Sequence, residues 1–140
     1  MKNLSEVIAG DLSWHYRQTA EKIRGLVEPL SHEQIWAKPY SYGNSIGHLL
    51  LHLTGNLNYY IGAEIGGTGY VRNRPLEFSD ASNVQKETLL KNFDNAIGIV
   101  VETLGKQQEE NWAAVFSGGN GRRQGPALGI FALPDALIPP

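Results

Sequence analysis

The chain of 140 residues has no cysteine, so no disulfide can staple it, no thiolate can act as a nucleophile and no cysteine can hold zinc. Any metal must be bound by His, Asp or Glu, and the sequence offers only four histidines. The same absence leaves the redox compartment open. Blocks of like charge are missing too: twelve basic and fourteen acidic residues leave a net charge of −2 and never gather into a run that would recruit nucleic acid or an anionic membrane. No stretch approaches the ~18 apolar residues of a membrane span, and MKNLSEVIAGDLSWHY lacks the apolar segment of a secretion signal. The expectation is a soluble, cytoplasmic protein of one domain, long enough to bury a core without staples.

What the sequence does contain is helical periodicity. Val7, Ile8, Leu12, Tyr16, Ile23, Leu26, Val27 and Leu30 recur at intervals of three and four, which places them on one face of a first helix over about residues 3–29. Ser31 and Gln34 form a capping pattern for a short helical turn that Pro39 stops. Asn44 or Ser45 can cap a second helix over about 45–65, marked by Ile46, Leu49, Leu50, Leu53, Leu57, Tyr60 and Ile61 and ended by GGTG. The glycine-containing, non-periodic segment 66–80 reads as an ordered loop, and a loop of that length in a compact domain has a job or is tied down. Ser82 and Gln85 form a further capping pattern ahead of a third helix over about 82–110, with Leu89, Leu90, Phe93, Ile97, Val100, Val101 and Leu104 as its stripe.

No segment alternates with period two, so the fold class is all-α, and three broad stripes call for a four-helix bundle. The fourth helix is the difficulty. Residues 118–140 are rich in Gly and Pro, and only ALGIFAL, residues 127–133, could form a continuous helical piece. The expected organisation is a helical bundle over 1–117 and an irregular tail over 118–140, with the fourth helix missing, short or irregular.

The segment SIGHLLLHLTGN carries His48 and His52 four residues apart, a spacing at which two imidazoles can share one metal ion. On a helical wheel the apolar stripe centres on Ile46, Leu50, Leu53 and Leu57. His52 then lies on its flank, with Asn56 one turn later, and His48 lies nearly opposite. The competing reading is one solvated histidine and one hydrogen-bonded near the core. His15, at the stripe edge of the first helix, either meets His52 across the bundle or is an ordinary packed histidine. His32, in the capping turn, is expected to be exposed. In RNRPLEF, Arg72, Arg74 and Glu77 either line a pocket mouth, where the arginines hold an acidic substrate, or form ion pairs that pin the loop to the bundle. GGTG lacks the context of a phosphate-binding loop, and no nucleophile triad or carboxylate pair stands out.

Taken in order, Asn-Ser-Ile-Gly, Leu-Leu-x-His-Leu, Gly-Asn-Leu, Gly-Gly and Arg-x-Arg-x-x-Glu-Phe over Asn44 to Phe78 resemble the helix-and-loop signature of the DinB/YfiT-like metalloenzyme superfamily, and the likeness covers roughly residues 1–118. This resemblance implies an up-down-down-up four-helix bundle with a divalent metal, zinc or nickel, held by three histidines at one end. It implies a metal-dependent thiol S-transferase or hydrolase acting on a small molecule, with a low-molecular-weight thiol as a co-substrate of the transferase type. His52 matches the metal ligand of the second helix, with His48 and His15 as second choices. Asn56, Arg72 and Arg74 are the candidate substrate-binding residues. The other two ligands come from an H-x-x-x-H on the fourth helix, and this chain departs from the pattern there, since no histidine follows His52. A shifted reading frame or truncated gene end would account for the lost helix and the lost ligands together. The alternative function is a non-catalytic helical remnant, or a module that self-associates as a homodimer through its uncovered apolar face.

Overall fold

The computed structural model describes residues 1–116 and 125–126. They form α1 (Leu4–Val27), α2 (His32–Trp36), α3 (Ile46–Leu57), α4 (Leu76–Ser79), α5 (Lys86–Gly105) and α6 (Glu109–Ala113), and α3 continues as a π-helical turn over Asn58–Ala63. A two-residue antiparallel pairing of Val115–Phe116 with Gly125–Pro126 is the one other regular feature among the described residues. The fold class is all-α. The expected irregular tail over 118–140 and its helical piece over 127–133 otherwise lie outside the described residues.

The helix starts follow from side-chain caps. Asn3 and Glu6 form a reciprocal capping box on α1, Ser31 and Gln34 form another on α2, and Ser45 accepts from the His48 amide to open α3. The third long helix departs from expectation at both ends. It begins at Lys86, without a side-chain cap, and Ser82 turns instead to Asp80: its backbone N–H donates to the carboxylate and its side chain hydrogen bonds there too. Asn83, in the left-handed region at φ 48°, then turns the chain into α5. At the other end the helix stops at Gly105, and α6 is a separate turn capped by Gln108 and Asn111.

Contacts between helix ends give the directions. Lys86, at the start of α5, donates to the carbonyls of Glu28 and Leu30 at the end of α1, at 2.7 and 3.1 Å. Ser5, at the start of α1, donates to the Gln107 carbonyl beyond the end of α5. These two helices are therefore antiparallel, and a cation caps the negative end of α1. By contrast α3 and α5 run parallel. Leu51 shares a groove with Leu89, a Cβ on Gly62 would lie 3.1 Å from Ile99, and a Cβ on Gly66 would lie 2.7 Å from the Thr103 hydroxyl.

Parallel neighbours cannot be joined by a tight turn. The chain must return along the length of α3 before α5 can start, which explains why residues 64–85 form a long connection. It leaves the π-turn through Gly67 and Gly69, both at positive φ, and descends beside α3. Glu77 then meets His52, Asp80 meets His48, and the Val84 carbonyl accepts from the Trp36 indole.

The core is centred on α5, whose Leu89, Leu90, Phe93, Ala96, Ile97, Val100 and Leu104 are buried between Ala9, Ala20 and Val27 of α1 and Leu50, Leu57 and Ile61 of α3 with its continuation. Each large side chain there contributes about 1.5–3 kcal/mol by leaving water. Three members of the expected stripes face outward: Val7 is 53 % exposed, Leu26 74 % and Leu49 45 %.

Glycine substitutions test the packing. A Cβ on Gly47 would lie 2.6 Å from the Trp36 ring, whereas one on Gly98 meets nothing within 4 Å. Gly47→Ala should lower stability by about 1–3 kcal/mol through overpacking, and Gly98→Ala should raise it by about 0.5–1 kcal/mol by improving helix propensity. Urea unfolding of both variants measures this, and equal effects of one sign would contradict the packing described.

Candidate functional site

The most polar part of the interior lies between α3 and the returning connection. His52, Asn56 and Glu77 are all at least nine-tenths buried, at 4 %, 5 % and 7 % exposure. Arg72 donates to Glu77 through two parallel bonds, Nε to Oε2 and Nη2 to Oε1, each 2.8 Å. This forked pairing is the strongest geometry available to a guanidinium and a carboxylate. Burial alone would lower the Arg72 pKa, but the hydrogen bonds and charge of Glu77 outweigh it, and the guanidinium is raised above its ordinary value. The His52 Nδ1 lies 3.1 Å from Glu77 Oε1 and 3.3 Å from Arg72 Nη2.

Gly55 makes this approach possible. A Cβ at that position would lie 2.0 Å from Glu77 Oε2, so the carboxylate occupies the space where any other residue would place its side chain. Phe78 packs on the His52 ring at 4.8 Å between centroids, and Arg74 lies over Phe78 at 5.4 Å. Tyr60, from the π-turn, faces the Arg72 guanidinium at 5.8 Å.

Two atoms in this cluster have no partner among the described residues. The Nε2 of His52 and the Oδ1 of Asn56 are buried and make no hydrogen bond. They sit on residues four apart, on one side of α3. An unmet buried polar atom costs about 1–3 kcal/mol, so each is a departure that needs a reason.

His48 is different. It is buried at 7 % exposure, which corrects its expected place on the far side of the wheel. The wheel assumed one core-facing stripe, but α3 is covered by α5 on one side and by α2 and the returning connection on others. Both ring nitrogens of His48 are engaged: Nδ1 is 2.6 Å from Ser45 Oγ and Nε2 is 2.8 Å from the Asp80 carbonyl. A carbonyl only accepts, so Nε2 carries the proton and Nδ1 accepts from the Ser45 hydroxyl. The Trp36 ring meets His48 edge-on at 5.2 Å. Hydrogen bonds from the Ser82 side chain and backbone hold the Asp80 carboxyl below its usual range.

The remaining candidates separate. The structure does not bring His15 to His52: its side chain is 62 % exposed on α1, 3.8 Å from Asp11. His32 is half-buried rather than exposed, with Nδ1 unpartnered among the described residues. Arg72 spends its fork on Glu77, and Arg74 rests on Phe78, so the loop-pinning reading of RNRPLEF describes the arrangement seen. Gly55 and Asp80 were not singled out from the sequence, and Ser45 was read there only as a helix cap. A glycine three residues after a histidine on an apolar helix is a signal for close approach, whereas the Asp80 contact runs through a backbone carbonyl and leaves no trace in residue type.

Does the cluster fit a metal ion? The bare His52 Nε2 suits one coordination position. Yet among the described residues no group of three or more His, Asp or Glu could hold an ion, and the chain has no histidine beyond His52. A set of three histidines therefore does not fit this chain. The family model described as "Protein of unknown function (DUF1572)" matches residues 6–117, and the chain belongs to that family. No curated protein and no solved structure matches it significantly.

The buried ion pair makes an asymmetric prediction. Glu77→Ala should cost about 3–5 kcal/mol because it strands Arg72, while the double variant Arg72→Met with Glu77→Leu should cost clearly less. Denaturant unfolding of the two proteins decides this, and a double variant no better than the single one would show that the pair's charge is not what the single variant exposes.

Proposed function

We propose that this chain is a DinB-like scaffold of metal-dependent S-transferase or hydrolase type, with His52 as its one remaining metal ligand and a ligand set too small for tight binding. One observation carries the reading: a buried imidazole whose Nδ1 is engaged and whose Nε2 is bare, at the position that matches the helix ligand of the resembling superfamily. A divalent ion such as zinc needs three or four donors in fixed geometry, and one imidazole does not retain it. Catalysis through an ion is accordingly not assigned to this chain, and Asn56, one turn after His52 on α3, is the pocket residue that the reading retains. Arg72 and Arg74 support the site by holding the loop rather than by gripping an acidic substrate.

A second reading has its own observation. Leu4, Val7 and Trp14 lie at intervals of three and seven on α1, and all are more than half exposed. A face of that composition favours association, and a homodimer of a non-catalytic helical module is the alternative.

Titration of metal-free protein with zinc or nickel ions, followed by gel filtration, tests both. The expected result is weak binding that gel filtration strips away and that His52→Ala abolishes. One tightly held ion per chain would overturn the half-site reading in favour of a complete centre, and weak binding indifferent to His52→Ala would remove the ligand role. A protein that binds no ion and runs as a dimer dispersed by Trp14→Glu would establish the second reading.

A further inference from the structure

We infer that Glu77 and Arg72 are positioning residues for His52: they fix its ring as the Nδ1–H tautomer and so make Nε2 an obligate electron-pair donor at the buried pole of α3. The inference rests on hydrogen-bond geometry around the ring and does not depend on metal binding.

The argument begins with Glu77 Oε1. Arg72 Nη2 donates to it at 2.8 Å while Nε donates to Oε2 at the same distance, so both oxygens act as acceptors. A carboxylate paired in this way has lone pairs to offer and no proton to give. The His52 Nδ1 sits 3.1 Å from that oxygen. With a proton, Nδ1 makes a charge-assisted hydrogen bond. Without one, two lone pairs face each other in an interior of low dielectric, and the relief is the second hydrogen of Arg72 Nη2, at 3.3 Å a longer contact than the 3.1 Å one that Nδ1–H makes with the carboxylate. Protonated Nδ1 is the arrangement that the distances favour.

The consequence falls on the opposite nitrogen. A proton on Nε2 would be a buried donor with no acceptor among the described residues. Left bare, it is an acceptor, and Asn56 Oδ1, on the residue one turn later along the same side of α3, is a second acceptor without a partner among the described residues. The pole thus presents two lone-pair groups, while the nearest positive charge, Arg72, is neutralised by Glu77. Such a pole takes a hydrogen-bond donor or a cation and rejects anions. Gly55 is part of the device, since only the missing Cβ lets Glu77 reach the ring. His48 supplies an internal contrast, because its contacts require the opposite tautomer, with the proton on Nε2.

Long-range proton–nitrogen NMR of the imidazoles, at a pH where the rings are neutral, reads the tautomers directly. In the unaltered protein His52 should carry its proton on Nδ1 and His48 on Nε2. Glu77→Gln, whose side-chain oxygen still accepts, should keep the His52 pattern. The double variant Arg72→Met with Glu77→Leu should lose the Nδ1–H form, with the proton moving wholly or partly to Nε2. A His52 ring protonated on Nε2 in the unaltered protein would overturn the inference whether or not any variant folds, and so would a double variant with the unaltered ring pattern. Nδ1–H in a protein that binds no metal would leave the positioning role standing while removing the metal reading, so the two can fail separately.

Discussion

The structure depends on one topological constraint, the parallel packing of α3 against α5. Parallel helices force the chain to travel back along a full helix length, and a returning segment with few apolar residues must be held by something other than the core. The two histidines of α3 hold it. His52 meets Glu77 and His48 meets the Asp80 carbonyl one turn earlier, so successive turns of the helix engage successive points of the strap. The Trp36 indole adds a third fastening at Val84. Polar fastenings of this kind fix position more than they add stability. A buried ion pair gains little over an apolar pair of similar shape, but its loss on one side is costly. The return path is thereby determined, and with it the register at which α5 begins.

Much of this was legible in the sequence, and what was not has physical reasons. Apolar residues at three- and four-residue spacing located the three long helices, because burying a stripe is a local requirement written in adjacent turns. Ser31 with Gln34 and Ser45 marked real starts for the same reason: a cap acts within three residues. Ser82 with Gln85 has an equally good pattern and does not cap, and the Ser82 side chain hydrogen bonds to Asp80 instead. The wheel placed His48 outside and Leu49 inside, and the structure reverses them. A single stripe describes a helix with one covered side, and α3 is covered on several. Partners distant in sequence were the least visible. The choice between RNRPLEF as a pocket mouth and as a pin turned on whether Glu77 met Arg72 and His52 or solvent, and no local pattern encodes that.

The fold also limits what the family resemblance can contribute. Membership of an uncharacterised family assigns no reaction. The superfamily likeness suggests a candidate ligand at His52, but the imidazole one turn earlier, His48, has both ring nitrogens engaged, and His15 lies exposed on α1. What remains is a chemical asymmetry within one ring. Its Nδ1 side belongs to the architecture, tied through Glu77 and Arg72 to the returning connection, and its Nε2 side belongs to nothing described.

That asymmetry is the strongest reason to regard His52 as more than a fastening. The needs of the strap account for Nδ1, and an asparagine or glutamine could offer Glu77 a comparable hydrogen bond without a second ring nitrogen to satisfy. They do not account for Nε2 or for Asn56 Oδ1, each of which carries a penalty of about 1–3 kcal/mol while it stays buried and unpartnered. Nor can the penalty be ascribed to an inability of this fold to satisfy an imidazole. One turn earlier on the same helix, His48 is equally buried and has both nitrogens engaged. The chain satisfies one histidine fully and, among the described residues, leaves its neighbour half satisfied, with a second bare acceptor one turn later on the helix. A hydrogen-bond donor or a cation at Nε2 would offset that penalty.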